Sequence, residues 1–159
     1  MLRHLSATRA GTRRRFSDAV DAGIAAAIAA AEARSSAEIR FVIETALDIP
    51  ELWAGVTPRE RALQVFSQLR VWDTELRNGV LIYVLAADRD VEIVVDRAAF
   101  RISPVEWEGA CKLMEGHFRA GRFEEGAVAG VAAVGELLAR EFPARGRDRD
   151  ELPNQPSLL

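Results

Sequence analysis

Glu38, Asp73, Asn78 and Asp96 are the residues of this chain whose types and placement could do chemistry. Three carboxylates and an amide oxygen are hard donors, suited to calcium or magnesium and unsuited to softer metals. They lie far apart in sequence, so only the fold can gather them. If the segments that follow Glu38 and Asn78 are parallel strands, both residues open their strands at one edge of a sheet. Asp73 then lies in the loop just before, and a hairpin returns Asp96 to the same edge. In the plainer alternative these acids cap strand ends, pair with Arg40, Arg77 or Arg97 and stay solvated; the ligand spacing of a single-loop calcium site is absent. A rival group, Glu44, Asp48, Asp88 and Asp90, gathers at the opposite edge, and open α/β sheets bind ligands at the C-terminal ends of parallel strands. No Ser, His and Asp constellation and no evident general base accompanies either group. His4 and His117 are isolated from other ligand types and read as surface residues. Cys111 is the only cysteine, which excludes an intrachain disulfide and a cysteine-rich zinc site. Trp107, Ala110, Cys111, Met114 and Phe118 recur at helical spacing and place that thiol on a buried stripe.

The elements that must position these groups follow from two periodicities. Ser17 reads as an N-cap, Asp18 and Asp21 suit the positive end of a helix dipole, and Val20, Ile24, Ile28 and Ala31 form an inner stripe. Ile39, Phe41 and Ile43 alternate with Arg40, Val42 and Glu44, which is strand behaviour. Thr57-Pro58-Arg59-Glu60 supplies a cap, a first-turn proline and a capping-box acid, and opens a helix whose buried face is Ala62, Leu63, Phe66 and Leu69. Residues 79–86 are apolar on both faces and read as a central strand. The few residues that separate them from residues 91–95 are too few for a parallel crossover, so these two strands form an antiparallel hairpin. Ser103-Pro104-Val105-Glu106 repeats the cap signature and opens a helix to about Arg119. A further helix spans residues 123–142, where Gly126, Gly130 and Gly135 let it approach the sheet closely.

The expected fold is α/β: a three-layer α/β/α sandwich with a small mixed sheet, built from one parallel crossover plus an antiparallel hairpin. Residues 1–15 are a basic arm, residues 16–143 the domain, and residues 144–159, rich in Arg, Asp and Pro, a disordered tail. Ile39, Phe41, Ile43, Phe66, Leu81, Tyr83, Ile93, Val95 and Phe118 are expected in or beside the core.

A chain of 159 residues, 49% hydrophobic and 28% charged, falls near the size of one domain. A net charge of -3 and a pI near 5.5 argue against nucleic acid as a partner. The charge is uneven: Arg3, Arg9, Arg13, Arg14 and Arg15 fall in a stretch without an acid, which suits contact with an anionic membrane surface. The longest apolar runs stop at about ten residues, half of what a spanning helix needs. Thr12-Arg13-Arg14-Arg15-Phe16 resembles the start of a twin-arginine export signal, but Asp18 and Asp21 break the apolar segment that should follow, so the expectation is cytoplasmic residence.

Several segments in order carry a family likeness: Ile24 with Ile28 and Glu32, Ser36-Ala37-Glu38-Ile39, Asn78-Gly79-Val80-Leu81-Ile82, Asp88-Arg89, and Phe118-Arg119-Ala120-Gly121-Arg122-Phe123 with Gly126 and Gly130. In this combination the chain resembles the TPM domain family over residues 16–143. The family is shared by thylakoid-lumen repair proteins, many bacterial envelope proteins and some cytosolic bacterial ones. The resemblance implies a mixed sheet between helices. For function it implies a protein-binding or accessory module that acts near a membrane surface. The alternative it implies is a divalent-metal-dependent acid phosphatase of low activity, for which the Glu38, Asp73, Asn78 and Asp96 edge read from the topology would hold the calcium or magnesium. A binding module needs an exposed apolar patch, for which Leu52 and Trp53 are the candidates. At Asp96-Arg97-Ala98-Ala99-Phe100 the chain has alanines where many relatives carry a glycine, which resists the positive backbone angles a glycine loop permits.

Overall fold

A computed structural model describes residues 2–146 and 150–159. Two short helices, α1 (Leu2–Ser6) and α2 (Arg9–Arg15), precede α3 (Asp18–Glu32), β1 (Ile39–Glu44), α4 (Ile49–Trp53) and α5 (Pro58–Gln68). The hairpin β2 (Val80–Leu85) and β3 (Asp90–Val95) follows, then a 3-10 helix (Arg97–Arg101), α6 (Pro104–Arg119), α7 (Phe123–Glu141) and β4 (Ser157–Leu158). The capping logic of the sequence holds. The Ser17 hydroxyl accepts the Val20 N–H, and capping boxes open α5 at Thr57 with Glu60 and α6 at Ser103 with Glu106.

The sheet order is β3-β2-β1-β4. β1 and β2 are parallel, with Ile39 opposite Val80, and β2 and β3 are antiparallel, with Val80 opposite Val95. The crossover and the hairpin are those the sequence predicts, and helices cover both faces of the sheet. Phe16, Ile24, Ile28, Phe41, Ile82, Met114, Phe118 and Val131 belong to the core under α3, α6 and α7, while Val42, Val65, Leu81 and Tyr83 form a second cluster beneath α5. Gly79 is required by close approach: a Cβ there would overlap the carbonyl oxygen of Val71, so the loop that enters β2 can fold only around a bare α-carbon. Gly130 and Gly135 do serve packing, though against helices: α7 meets Met114 of α6 and Ala31 of α3 there, not the sheet.

Three further expectations need correcting. The buried face of α5 is Ala62 and Val65, with Phe66 and Leu69 partly buried; Leu63 is exposed, because the stripe runs at 62, 65, 66 and 69 and position 63 falls off it. His4 is a buried residue: Nε2 lies 2.9 Å from Asp88 Oδ2, and the Leu47 N–H donates to Nδ1 at 3.1 Å, so the basic arm is pinned to the sheet end. Finally, residues 150–159 are not loose. Ser157 and Leu158 pair in parallel with Val42 and Ile43 as β4, and Leu152 is buried in the second cluster. Pro153 and Pro156 pre-extend this segment, so ordering it costs little entropy. The part of the expected tail at residues 147–149 lies outside the described residues. Among the described residues no helix is long and apolar enough to cross a membrane.

Candidate functional site

The N-terminal ends of the parallel strands meet at Glu38 and Asn78, as the topology requires. The Val80 N–H donates to the Glu38 carbonyl at 2.8 Å, which locks the two strand starts together. Asn78 is only 1% exposed and donates its amide to the Ser36 carbonyl at 3.0 Å, so it ties the loop before β2 to the loop before β1. Asp73 is largely exposed and pairs with Arg70 at 2.8 Å. Asp96 accepts the Arg97 N–H at 2.7 Å and starts the 3-10 helix. These three carry structural partners of their own.

Glu38 has different company. Oxygens of Glu32, Glu38 and Asp150 lie within 4.8 Å of one another, close enough to share one cation. Three separate elements bring them there: Glu32 is the last residue of α3, Glu38 precedes β1, and Asp150 enters with the segment that ends in β4. The Glu32 carboxylate accepts the Ile39 N–H at 2.8 Å, and that of Glu38 accepts the Leu152 N–H at 3.1 Å. Asn154 donates its side-chain amide to Glu32, and its buried oxygen has no hydrogen-bond partner.

Electrostatics make this cluster unusual. Burial pushes the Glu32 carboxyl up to about 8, and the charges of Glu38 and Asp150 add to the rise against the pull of the Ile39 N–H and the Asn154 amide. Burial also raises Glu38, against the N–H groups of Leu152 and Glu151. The negative end of the α3 dipole points here, and the last turn of that helix has no basic residue. Burial, the neighbouring carboxylates and the helix dipole favour a proton or a cation, against the pull of the N–H donors. The donors, three carboxylates with an unpartnered amide oxygen beside them, are hard oxygens that fit calcium or magnesium and do not suit metals that prefer nitrogen or sulfur.

Of this group the sequence marked Glu38 as a ligand. Glu32 stood in the family pattern without a role, and its signal was its place at the end of an amphipathic helix a few residues ahead of Glu38. Asp150 was missed because its segment looked too polar to pack; the signal there was Leu152 and Leu158 set among prolines.

The rival group at the other edge is spread over separate partners. Glu44 binds Arg61 through both oxygens, at 2.7 and 2.8 Å, and accepts the Tyr83 hydroxyl at 2.5 Å. Asp48 caps α4, and Asp88 takes His4 and, at 3.7 Å, Arg3. Asp90 keeps a buried oxygen without a partner, and burial, with Glu115, Glu92 and Asp88 nearby, pushes its carboxyl up to about 6. Cys111 is partly buried and its thiol is pushed up to about 12, chiefly by burial, which makes it a poor nucleophile. An apolar tip stands at this same end. Trp53 is 77% exposed on α4 with Ile49 one turn before it, and Leu5 and Leu2 are exposed on α1. Leu5, Ile49 and Leu52 line one groove there.

A model of the TPM domain matches residues 13–137 of the chain. The structure is similar to the NMR structure of the BA42 protein from the psychrophilic bacterium Bizionia argentinensis, with a TM-score of 0.78 and 34% sequence identity; the likeness covers 89% of this chain and 93% of that one. No curated protein matches the chain. Asp150 and β4 lie beyond the residues that the domain model matches.

Proposed function

The chain belongs to the TPM domain family, and from that premise we propose that it works as an accessory binding module with a divalent cation in the Glu32, Glu38 and Asp150 cluster. The convergence of those three carboxylates from three elements carries the reading. A bound cation would replace the proton that burial otherwise forces onto Glu32, and would tie the end of α3, the start of β1 and the segment 150–159 into one unit. Calcium or magnesium fits the oxygen donors.

The docking face of the module is the tip formed by Leu2, Leu5, Ile49 and Trp53. Exposed leucines and a tryptophan beside Arg3 and Arg9 suit a protein partner met at the headgroup boundary of an anionic membrane, reached from the cytoplasmic side. Within the arm, Arg13 is held by Asp18 and Asp21, Arg3 pairs with Asp88, and Arg15 lies over the Phe123 ring, so the attraction to lipid falls on Arg9 and Arg14.

Thermal melts with and without calcium test the cation site. At tenfold excess over Kd the cation should stabilise the wild-type chain by about 1.4 kcal/mol. Glu38→Gln and Asp150→Asn should each lose most of that gain. A gain that survives both changes would remove the cluster from the account. Release of phosphate from an aryl phosphate by the cation-loaded chain, lost in Glu38→Gln, would replace the accessory reading with the phosphatase one.

A further inference from the structure

The geometry points to the outer edge of β1 as a recognition groove for an extended peptide, in which residues 151–159 sit as a tethered occupant and which a partner protein's segment of the same chemistry can take over. This goes beyond the cation site and does not depend on it.

The groove reads main chain. Arg40 reaches out from β1 and donates to the carbonyls of Pro153 at 3.2 Å and Gln155 at 2.6 Å, and to the Ser157 hydroxyl. Glu38 accepts the Leu152 N–H, the Ile43 carbonyl accepts the Leu159 N–H at 2.8 Å, and the Thr45 N–H donates to the Leu159 carbonyl at 3.3 Å. Arg9 adds a bond to the Leu158 carbonyl at 3.0 Å. Of these seven contacts, only the one to Ser157 reads a side chain. Two apolar sockets add selectivity: Leu152 is buried in the cluster beneath α5, and Leu158 packs against the core on the other face of the sheet. Backbone bonds for affinity and alternate side-chain sockets for choice are how sheet edges take peptides.

Arg40 decides the chemistry of the occupant. It is 7% exposed, burial pulls its pKa down, and among the described residues its guanidinium meets carbonyls and a hydroxyl but no carboxylate. A buried cation answered only by neutral acceptors favours any competitor that brings an anion. The fitting partner is therefore an extended segment with a leucine at the place of Leu152, prolines that hold it straight, and an Asp or Glu at the place of Ser157. The present occupant pairs over only two residues, Ser157 and Leu158, which leaves it the easiest strand of the sheet to displace. Its tether raises its local concentration, so a competitor must bring that extra anion to win.

The test uses the full chain carrying Leu152→Asp and Leu158→Asp, which empties the sockets and leaves β1 unchanged. The probe is the peptide Glu-Leu-Pro-Asn-Gln-Pro-Ser-Leu-Leu, which lacks Asp150, titrated in EDTA so that failure of the cation site cannot alter the outcome. The amides of Ile43 and Thr45 should shift, with affinity at least about tenfold higher than for the wild-type chain, where the tethered segment competes. A peptide with Asp in place of its serine should bind tighter still, and Arg40→Met in the same background should weaken both at least about tenfold. Unmoved Ile43 and Thr45 amides at millimolar peptide, in a variant whose β1 and β2 amides otherwise match the wild type, would overturn the proposal. So would a variant that unfolds, since the segment would then be part of the fold. In the wild-type chain, the Thr45 and Leu159 amides should exchange with solvent at least about a hundredfold faster than those at the centre of β2; equal protection counts against the groove.

Discussion

Replacing Glu32 by Gln should change how stability depends on pH. In the folded chain this carboxyl titrates at about 8, against 4.5 for an ordinary glutamate. The folded state therefore holds more protons than the unfolded state between those two values. Its contribution is fully present below the unfolded value and is lost as pH rises through the folded one. One pKa unit is about 1.4 kcal/mol, so the shift at face value corresponds to about 5 kcal/mol. Glu32 is only partly buried and Asp150 is exposed, and solvent screening cuts this to about 2 kcal/mol. Gln keeps an acceptor for the Ile39 N–H and cannot ionise. Urea melts in EDTA at pH 4.5, 6 and 8 should show Glu32→Gln gaining on the wild type by about 2 kcal/mol across that range, with other titrations cancelling in the difference. Curves that stay parallel would show that the cluster does not hold its proton, and the electrostatic basis of the cation site would fall with them.

Gly79→Ala should be among the costliest single changes, about 3 kcal/mol or more in denaturant melts, because the new Cβ meets the backbone oxygen of Val71, which no rotamer can relieve; a loss under about 1 kcal/mol would mean the loop yields freely. Cys111 should resist iodoacetamide at pH 8 in the folded chain and react on unfolding, and rapid alkylation of the native protein would contradict its burial. Leu5→Ser with Trp53→Ser should leave the melting temperature unchanged while reducing binding to anionic vesicles, most visibly at low salt. Equal binding by both proteins would take the tip out of the docking face.

Local signals were legible where they concern one element at a time. The caps at Ser17, Thr57 and Ser103, the all-apolar second strand and the short reversal read at residues 87–90 led to the crossover and the hairpin, and the structure has both. Glu38 and Asn78 could be placed at one edge because parallel strands force their starts together. What the sequence hid was occupancy by distant chain. The β1 alternation marks a strand but not what covers it: all six residues are buried, since α5 and residues 152–158 cover the polar side and turn Arg40 and Glu44 into buried groups. The same segment brings Asp150 to Glu38, a meeting that no local pattern in the sequence indicates. His4 was misread for the same reason: a lone histidine in a basic stretch gives no sign that Asp88 and the Leu47 N–H wait for it across the sheet end.

A calcium titration of the isotope-labelled chain at pH 7, followed residue by residue by NMR, tests the cation site most directly. Calcium should shift the amides of Ile39 and Leu152, which donate to the carboxylates of Glu32 and Glu38, with the side-chain amide of Asn154. Saturation should fall in the range of about 10⁻⁴ to 10⁻³ M expected of an oxygen site with few rigid ligands, and Glu38→Gln should abolish it. If those resonances stay fixed at ten millimolar calcium and magnesium, at about tenfold over that range, the cluster holds protons and not a cation, and the accessory role must be sought at the apolar tip alone.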